Sequence, residues 1–89
     1  MPKIEIYTKN FCPYCSMAKR ALNKLGLKAE EIDVTWSLAL QREMQELSQR
    51  RTVPQIFIDD VHLGGYEDLM AAITRGELDE FLSQEPASA

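Results

Sequence analysis

Cys12 and Cys15 are the only two cysteines in the chain, and they stand three residues apart in Cys12-Pro13-Tyr14-Cys15. Three chemistries compete for that spacing. As a structural staple the pair is poor, because closing so short a loop stabilises by only about 2 kcal/mol, against about 3 for a fifteen-residue loop. A reducing compartment would also tend to open it. As half of a zinc site it lacks partners, since zinc takes four ligands and the chain adds only one histidine, His62. A lone histidine on a short strand reads more simply as a surface residue, and only a metal shared between two chains stays open. The third chemistry is redox. Residues at i and i+3 face each other across one helical turn, so two sulfurs so placed can bond and separate. A cysteine at a helix N-terminus has unpaired N–H groups and the positive end of the helix dipole beside it, which favour its thiolate. Pro13 suits the first helical position, where its missing N–H costs nothing. Lys9 adds a nearby cation. Cys15, one turn deeper, is expected to be less exposed and less ionised. Cys12 therefore attacks and Cys15 resolves, and a C-x-x-C opening a helix after a first strand is a redox signal of fair specificity.

Such a pair needs a strand to lead into it and a helix to carry it. Residues 3–7, "KIEIY", alternate and are β-branched, predicting a first strand. Met17, Ala18, Ala21, Leu22 and Leu25 then fall at helical spacing, with Gly26 where a helix would stop. Residues 27–34 read as a second strand. Leu40, Met44 and Leu47 mark a second helix, with Thr35 or Ser37 as its N-cap. "QIFID", residues 55–59, is a clear strand, and Asp59-Asp60 turns it into a short strand over 61–63. After Gly64-Gly65, a third helix runs through Tyr66, Leu69, Met70 and Ile73 to Gly76. Leu78, Phe81 and Leu82 give a short terminal helix, and residues 84–89 are expected to fray. The order β-α-β-α-β-β-α plus a C-terminal helix predicts an α/β fold. Strand–helix–strand units favour parallel pairing, and the late hairpin is antiparallel. A four-stranded mixed sheet with helices on both faces follows, in one domain over residues 1–89. Trp36, between the second strand and second helix, has only two readings: a partly buried packing residue or a partner contact.

Composition narrows the partners. With 45% hydrophobic and 27% charged residues the chain is an ordinary globule, and its apolar runs are far shorter than the ~20 residues of a membrane span. The start, Met1-Pro2-Lys3-Ile4-Glu5, lacks the apolar core of a secretory signal, so a cytoplasmic location is expected. A net charge of −4 argues against nucleic acid. Lys9, Lys19 and Arg20 nevertheless flank the cysteines, and Arg50-Arg51 form a second basic spot. Such a rim either attracts a small anion or is ordinary solvated charge.

The segments "TKNFCPYC", "TVPQIFID" and "GGYED" together resemble, in order and spacing, the signature segments of dithiol glutaredoxins of the short bacterial type. The resemblance runs from about Lys3 to Leu82. It implies a thioredoxin fold and glutathione-dependent thiol–disulfide exchange on protein disulfides and protein–glutathione mixed disulfides. It also implies a cis Pro54 facing the cysteines, with the Val53 backbone free to pair with the peptide-like glutathione. By the same resemblance the γ-glutamyl carboxylate rests on the N–H groups of Glu67 and Asp68, past Gly64-Gly65, and the Asp68 carboxylate meets the ammonium. The glycyl carboxylate goes to Lys9 and Arg51, with Arg50 the alternative and Gln41 weaker. Tyr14 forms one wall beside the sulfurs, Gly65 and Tyr66 are further glutathione contacts, and Thr52 completes the Thr52-Val53-Pro54 segment. Read alone, Glu67 and Asp68 are simply favourable first-turn charge, Pro54 the start of an edge strand and Tyr14 an exposed loop aromatic.

No bound cofactor and no metal are expected. Glutathione is the reducing co-substrate, regenerated by an NADPH-dependent reductase. The expected partners are glutathione and disulfide-containing or glutathionylated proteins, ribonucleotide reductase among the family's candidates, with the chain itself a monomer. Tyr66 stands where many relatives carry a third cysteine, so no extra thiol follows the paired glycines. A second reading is an iron–sulfur carrier, a homodimer bridged by a cluster on Cys12 and two glutathiones. Relatives of that kind usually carry one cysteine in a Cys-Gly-Phe-Ser setting, and Pro13 speaks against it. A redoxin fed directly by a thioredoxin reductase is a third, and the Lys9, Arg51 and Asp68 set speaks against that.

Overall fold

The structure, a computed structural model, describes residues 2–82; the expected fraying of residues 84–89 lies outside them. Eight elements run in chain order. They are β1 (Ile4–Thr8), α1 (Pro13–Lys24), β2 (Ala29–Asp33), α2 (Leu38–Ser48), β3 (Gln55–Ile58), β4 (Val61–Gly64), α3 (Tyr66–Arg75) and α4 (Leu78–Leu82). The strands form one sheet in the order β2-β1-β3-β4. β1 pairs with β2 in parallel, and with β3 antiparallel. The expected parallel rule therefore holds for β1-α1-β2 but not for β2-α2-β3. That second unit crosses to the far side of β1, and β3 enters reversed after Gln49 ends α2 in a left-handed conformation (φ 59°).

Alternation along the two central strands builds a core on each face of the sheet. Ile4 and Ile6 pair in register with Ile58 and Ile56. They pack with Ala18 and Leu22 of α1, Leu69 and Ala72 of α3, and Leu78 of α4. On the opposite face Tyr7 and Phe57 meet Val34 and Met44, so α2 covers that side. Each fully buried Leu or Ile contributes roughly 1.5–3 kcal/mol relative to exposure. The mixed sheet with helices on both faces is thus as expected. The turn between β3 and β4 is Asp59-Asp60, both with positive φ (49° and 68°), the two-residue geometry whose twist suits a hairpin.

Several side chains depart from expectation. Met17, Leu25 and Leu47, placed by their helical spacing, are exposed (41, 47 and 56%), because they sit at the margins of their helices' apolar stripes or at a helix end. Trp36 is 88% exposed, which overturns its reading as a packing residue. The N-cap of α2 is Ser37, whose hydroxyl accepts the Leu40 N–H at 3.1 Å. Thr35 instead donates to Asp33 and accepts the Asn10 N–H at 2.8 Å. β2 is shorter than residues 27–34.

Candidate active site

Cys12 is the N-cap of α1, with Pro13 directly after it. Its backbone is extended and its sulfur accepts the Cys15 N–H at 3.2 Å, so the side chain closes the helix end itself. Cys12 Sγ also donates to the Val53 carbonyl at 3.8 Å, across the cis Val53–Pro54 bond. Both cysteines are free thiols. Cys12 is partly exposed, whereas Cys15 is 3% exposed. Burial, and then the hydrogen bond with Cys12, push the Cys15 thiol up to about 12, partly opposed by a backbone hydrogen bond at Lys9 and by the Lys19 cation. Cys15 is a buried thiol awaiting a reason to ionise.

Beside the sulfurs lies a groove of about 360 Å³ lined by Tyr14, Arg50, Thr52, Val53, Pro54, Gly65, Tyr66, Glu67 and Asp68. Eight of these nine are expected glutathione contacts; the ninth, Arg50, was the alternative. Tyr14 and Tyr66 form one wall, ring centroids 5.7 Å apart and tilted by 41°. The opposite end is the start of α3, where the first-turn N–H groups of Tyr66, Glu67 and Asp68 have no partner within the helix. Asp68 reaches back to accept the Gly65 N–H at 2.8 Å and takes the Arg50 guanidinium at 2.7 Å on the same oxygen. Arg50, then the Gly65 N–H, hold the Asp68 carboxyl below the usual carboxylate range. Gly64, at φ 125°, must be glycine for this cap, since a Cβ there would strike the Asp68 carboxylate.

Lys9 and Arg51 do not line the groove. Lys9 lines a second depression, of about 550 Å³, with Asn10, Phe11, Cys12, Pro13 and Cys15 among its walls. Arg51 lines a third with Arg42, Gln45 and Gln49. Gln41 turns inward, donating to the Val34 carbonyl at 2.9 Å. The support under the Thr52-Val53-Pro54 segment went unread in the sequence. Buried Gln55 donates to the Thr52 carbonyl at 3.0 Å, and its own oxygen meets His62 Nε2 at 2.7 Å. His62 also stacks on Phe57, with centroids 5.0 Å apart, so it is a part-buried strut and not a plain surface residue. A polar residue at the first, inward position of β3 was the available signal.

A mixed sheet of this order, with two thiols at the head of α1 and a cis-proline opposite, defines a thioredoxin-fold dithiol redox protein. The glutaredoxin family profile matches residues 4–63, and the chain belongs to the glutaredoxin family. It is 48% identical over 82 residues to glutaredoxin 3 of Escherichia coli K12, covering 92% of this chain and 99% of that protein. The solution structure of a glutaredoxin from Brucella melitensis superposes with a TM-score of 0.80 at 48% identity, covering 90% of this chain and 87% of that one. A buckwheat glutaredoxin–glutathione complex gives a TM-score of 0.83 at 28% identity, covering 92% and 77%. Glutaredoxins are, as a family, thiol–disulfide oxidoreductases. Among the described residues no helix is long and apolar enough to cross a membrane.

Proposed function

We propose that the protein is a glutathione-dependent thiol–disulfide oxidoreductase, Cys12 its nucleophile and Cys15 its resolving thiol. The observation that carries this reading is the asymmetry of the pair: Cys12 partly exposed at the helix head beside the groove, Cys15 buried and protonated one turn below. On a glutathionylated protein the Cys12 thiolate attacks the glutathione sulfur. The mixed disulfide breaks, the protein leaves as its thiolate and takes up a proton. A second glutathione, as thiolate, then attacks the glutathione sulfur on Cys12, giving glutathione disulfide and regenerating Cys12. On a protein disulfide the Cys12 thiolate attacks one sulfur and the protein S–S bond breaks. The other sulfur leaves as a thiolate that takes up a proton, and a Cys12–protein mixed disulfide remains. Cys15 then loses its proton and attacks Cys12, releasing the second protein thiol and leaving the 12–15 bond, which two glutathiones reduce. Glutaredoxins as a class have potentials of about −200 to −230 mV, close to a cytosolic glutathione poise of about −220 to −260 mV by extraction. Flux then follows substrate ratio.

The groove supplies the recognition. Glutathione lies along Val53, pairing with its backbone as a one-residue strand, with Tyr14 and Tyr66 beside its sulfur. Its γ-glutamyl carboxylate takes the N–H groups at the start of α3, and its ammonium takes the Asp68 oxygen that Arg50 occupies in this structure. Binding therefore exchanges one cation for another on Asp68. The released Arg50, a wall of the groove, is then free for the glycyl carboxylate. Lys9 and Arg51, which line flanking depressions, attract that carboxylate from outside the groove. That a buckwheat relative forms a complex with glutathione supports glutathione as the ligand.

The test is turnover of a glutathionylated substrate and of a protein disulfide by the two serine variants. Cys12→Ser is expected to abolish both, whereas Cys15→Ser keeps deglutathionylation and loses most disulfide reduction. Equal loss of both activities in Cys15→Ser would reverse the assigned roles. Lys9→Ala and Arg51→Ala are expected to raise KM for glutathionylated substrate, more at low salt than at high salt. An unchanged KM in both would remove them from the glycyl site.

A further inference from the structure

The groove accounts for only one side of a protein–glutathione disulfide; the protein side must lie somewhere too. Cys12 stands between two depressions. Its sulfur touches Val53, a wall of the glutathione groove, and Cys12 itself lines the second depression together with Phe11. Phe11 is fully exposed (102%) and its backbone is held at φ 57°, a conformation costly for a bulky residue. No packing among the described residues repays that cost. Trp36, on the loop after β2, and Leu38, the first residue of α2, are also exposed. The two loops are tied together, since the Asn10 N–H donates to Thr35 Oγ1 at 2.8 Å, each bonded residue directly preceding an aromatic. Chain geometry then keeps the Phe11 and Trp36 Cα atoms within about 14 Å of each other. Phe11 thus sits unpacked next to the nucleophile and outside the groove, with exposed Trp36 on the loop tied to its own and exposed Leu38 two residues further on.

We propose that Phe11, Trp36 and Leu38 form the docking face for the polypeptide on the leaving side of Cys12, receiving a segment that carries apolar residues next to its reactive cysteine. The inference rests on the reading of the groove as the glutathione side. A peptide chain cannot share the groove with glutathione, so the thiol that departs does so over the depression lined by Phe11. Aromatic side chains are suited to this, offering large contact area at low entropic cost. Affinity for the protein is thereby set apart from affinity for glutathione.

The test uses two tryptophan-free synthetic peptides, each glutathionylated on one cysteine. One has leucine and valine flanking the cysteine and the other has serine and glycine. The mixed disulfide of glutathione with 2-mercaptoethanol is the small control. Phe11→Asn, which suits positive φ, is combined with Trp36→Ser. The double variant is expected to raise KM for the apolar peptide about tenfold, since each aromatic can bury up to roughly 150–250 Å². KM for the polar peptide and the small disulfide is expected to change less than about twofold, RT ln 2 being about 0.4 kcal/mol. Trp36 is the single tryptophan and reports directly in an otherwise unaltered surface. In Cys12→Ser, which cannot turn over, adding the glutathionylated apolar peptide is expected to shift the Trp36 emission to the blue, while the small mixed disulfide leaves it unmoved. An equal KM change for all three substrates, or an unmoved emission, overturns the docking face. So does loss of a dimer on Phe11→Asn/Trp36→Ser, which would assign the patch to a second copy. A wild-type protein inert toward the small disulfide would instead overturn the glutathione reading, and this inference with it.

Discussion

Asp68 carries two obligations on one oxygen, capping α3 through Gly65 and holding Arg50. Both contacts need the carboxylate, so its proton is bound more weakly in the folded chain than in the unfolded one, where an aspartate titrates near 3.9. Folding is therefore favoured by this group above that range, and the contribution is lost as pH falls through the lowered folded value. Asp68→Asn is expected to lower stability most at neutral pH, with the gap from wild type narrowing below about pH 4. Denaturant titrations across pH check this, and a gap that widened on acidification would contradict the shared-oxygen picture. Single residues were legible in unequal measure. The cysteines followed from spacing, since few chemistries use two thiols three apart. Arg50, by contrast, was indistinguishable from Arg51 in sequence, because only the turn after α2 decides which guanidinium faces the groove. Phe11 was also hidden, and Trp36 readable only as packing or partner contact, since exposure of an aromatic has no local signature.

Elements place these residues, and two glycines show how tightly. Gly64 and Gly26 both have positive φ, at 125° and 74°, but only Gly64 faces a side chain that a Cβ would strike. Gly26→Ala is expected to cost about 1–2 kcal/mol, the left-handed penalty alone. Gly64→Ala adds displacement of Asp68 and is expected to cost about 3 kcal/mol or more, and to raise KM for glutathionylated substrate as well. At roughly 4–8 °C per kcal/mol for a domain of this size, thermal melts separate the two. Equal shifts would mean that the cap at Asp68 is dispensable. Element types were legible from period-2 and helical spacing, and glycine marked the ends of α1 and α3 correctly. The direction of β3 was not. A strand–helix–strand order reads as parallel, and the reversal depends on α2 lying across the opposite face, which is a tertiary choice. The margins of the apolar stripes failed for the same reason: Met17 and Leu47 fit the helical period, yet the neighbouring elements do not reach them.

At the scale of the molecule, β1 and β3 belong to two cores at once. Ile4, Ile6, Ile56 and Ile58 face α1 and α3, while Tyr7 and Phe57 face α2. Neither core can open without disturbing the strands that carry the other. Leu22→Ala and Met44→Ala, one from each core and both fully buried, are each expected to cost about 2–5 kcal/mol. Each is expected to shift a single transition seen equally by far-ultraviolet circular dichroism and by tyrosine absorbance. Two separated transitions in either variant would show that the faces melt independently. The whole architecture apart from the direction of β3 was readable because each level agreed with the next, from alternation to helix spacing to turn residues. The site was readable where chemistry demanded a residue type, and unreadable where packing alone selected it, as with Gln55 and His62 beneath Thr52.

The account depends on one thiol meeting disulfides in solution while its neighbour waits below the surface. Mass-spectrometric mapping after exposure to glutathione disulfide reads this directly. Cys15→Ser is expected to hold one glutathione, on residue 12, and the wild-type chain to pass on to an internal bond between residues 12 and 15 without retained adduct. Glutathione found on Cys15 of the wild-type chain, or no adduct at all on the serine variant, would contradict it.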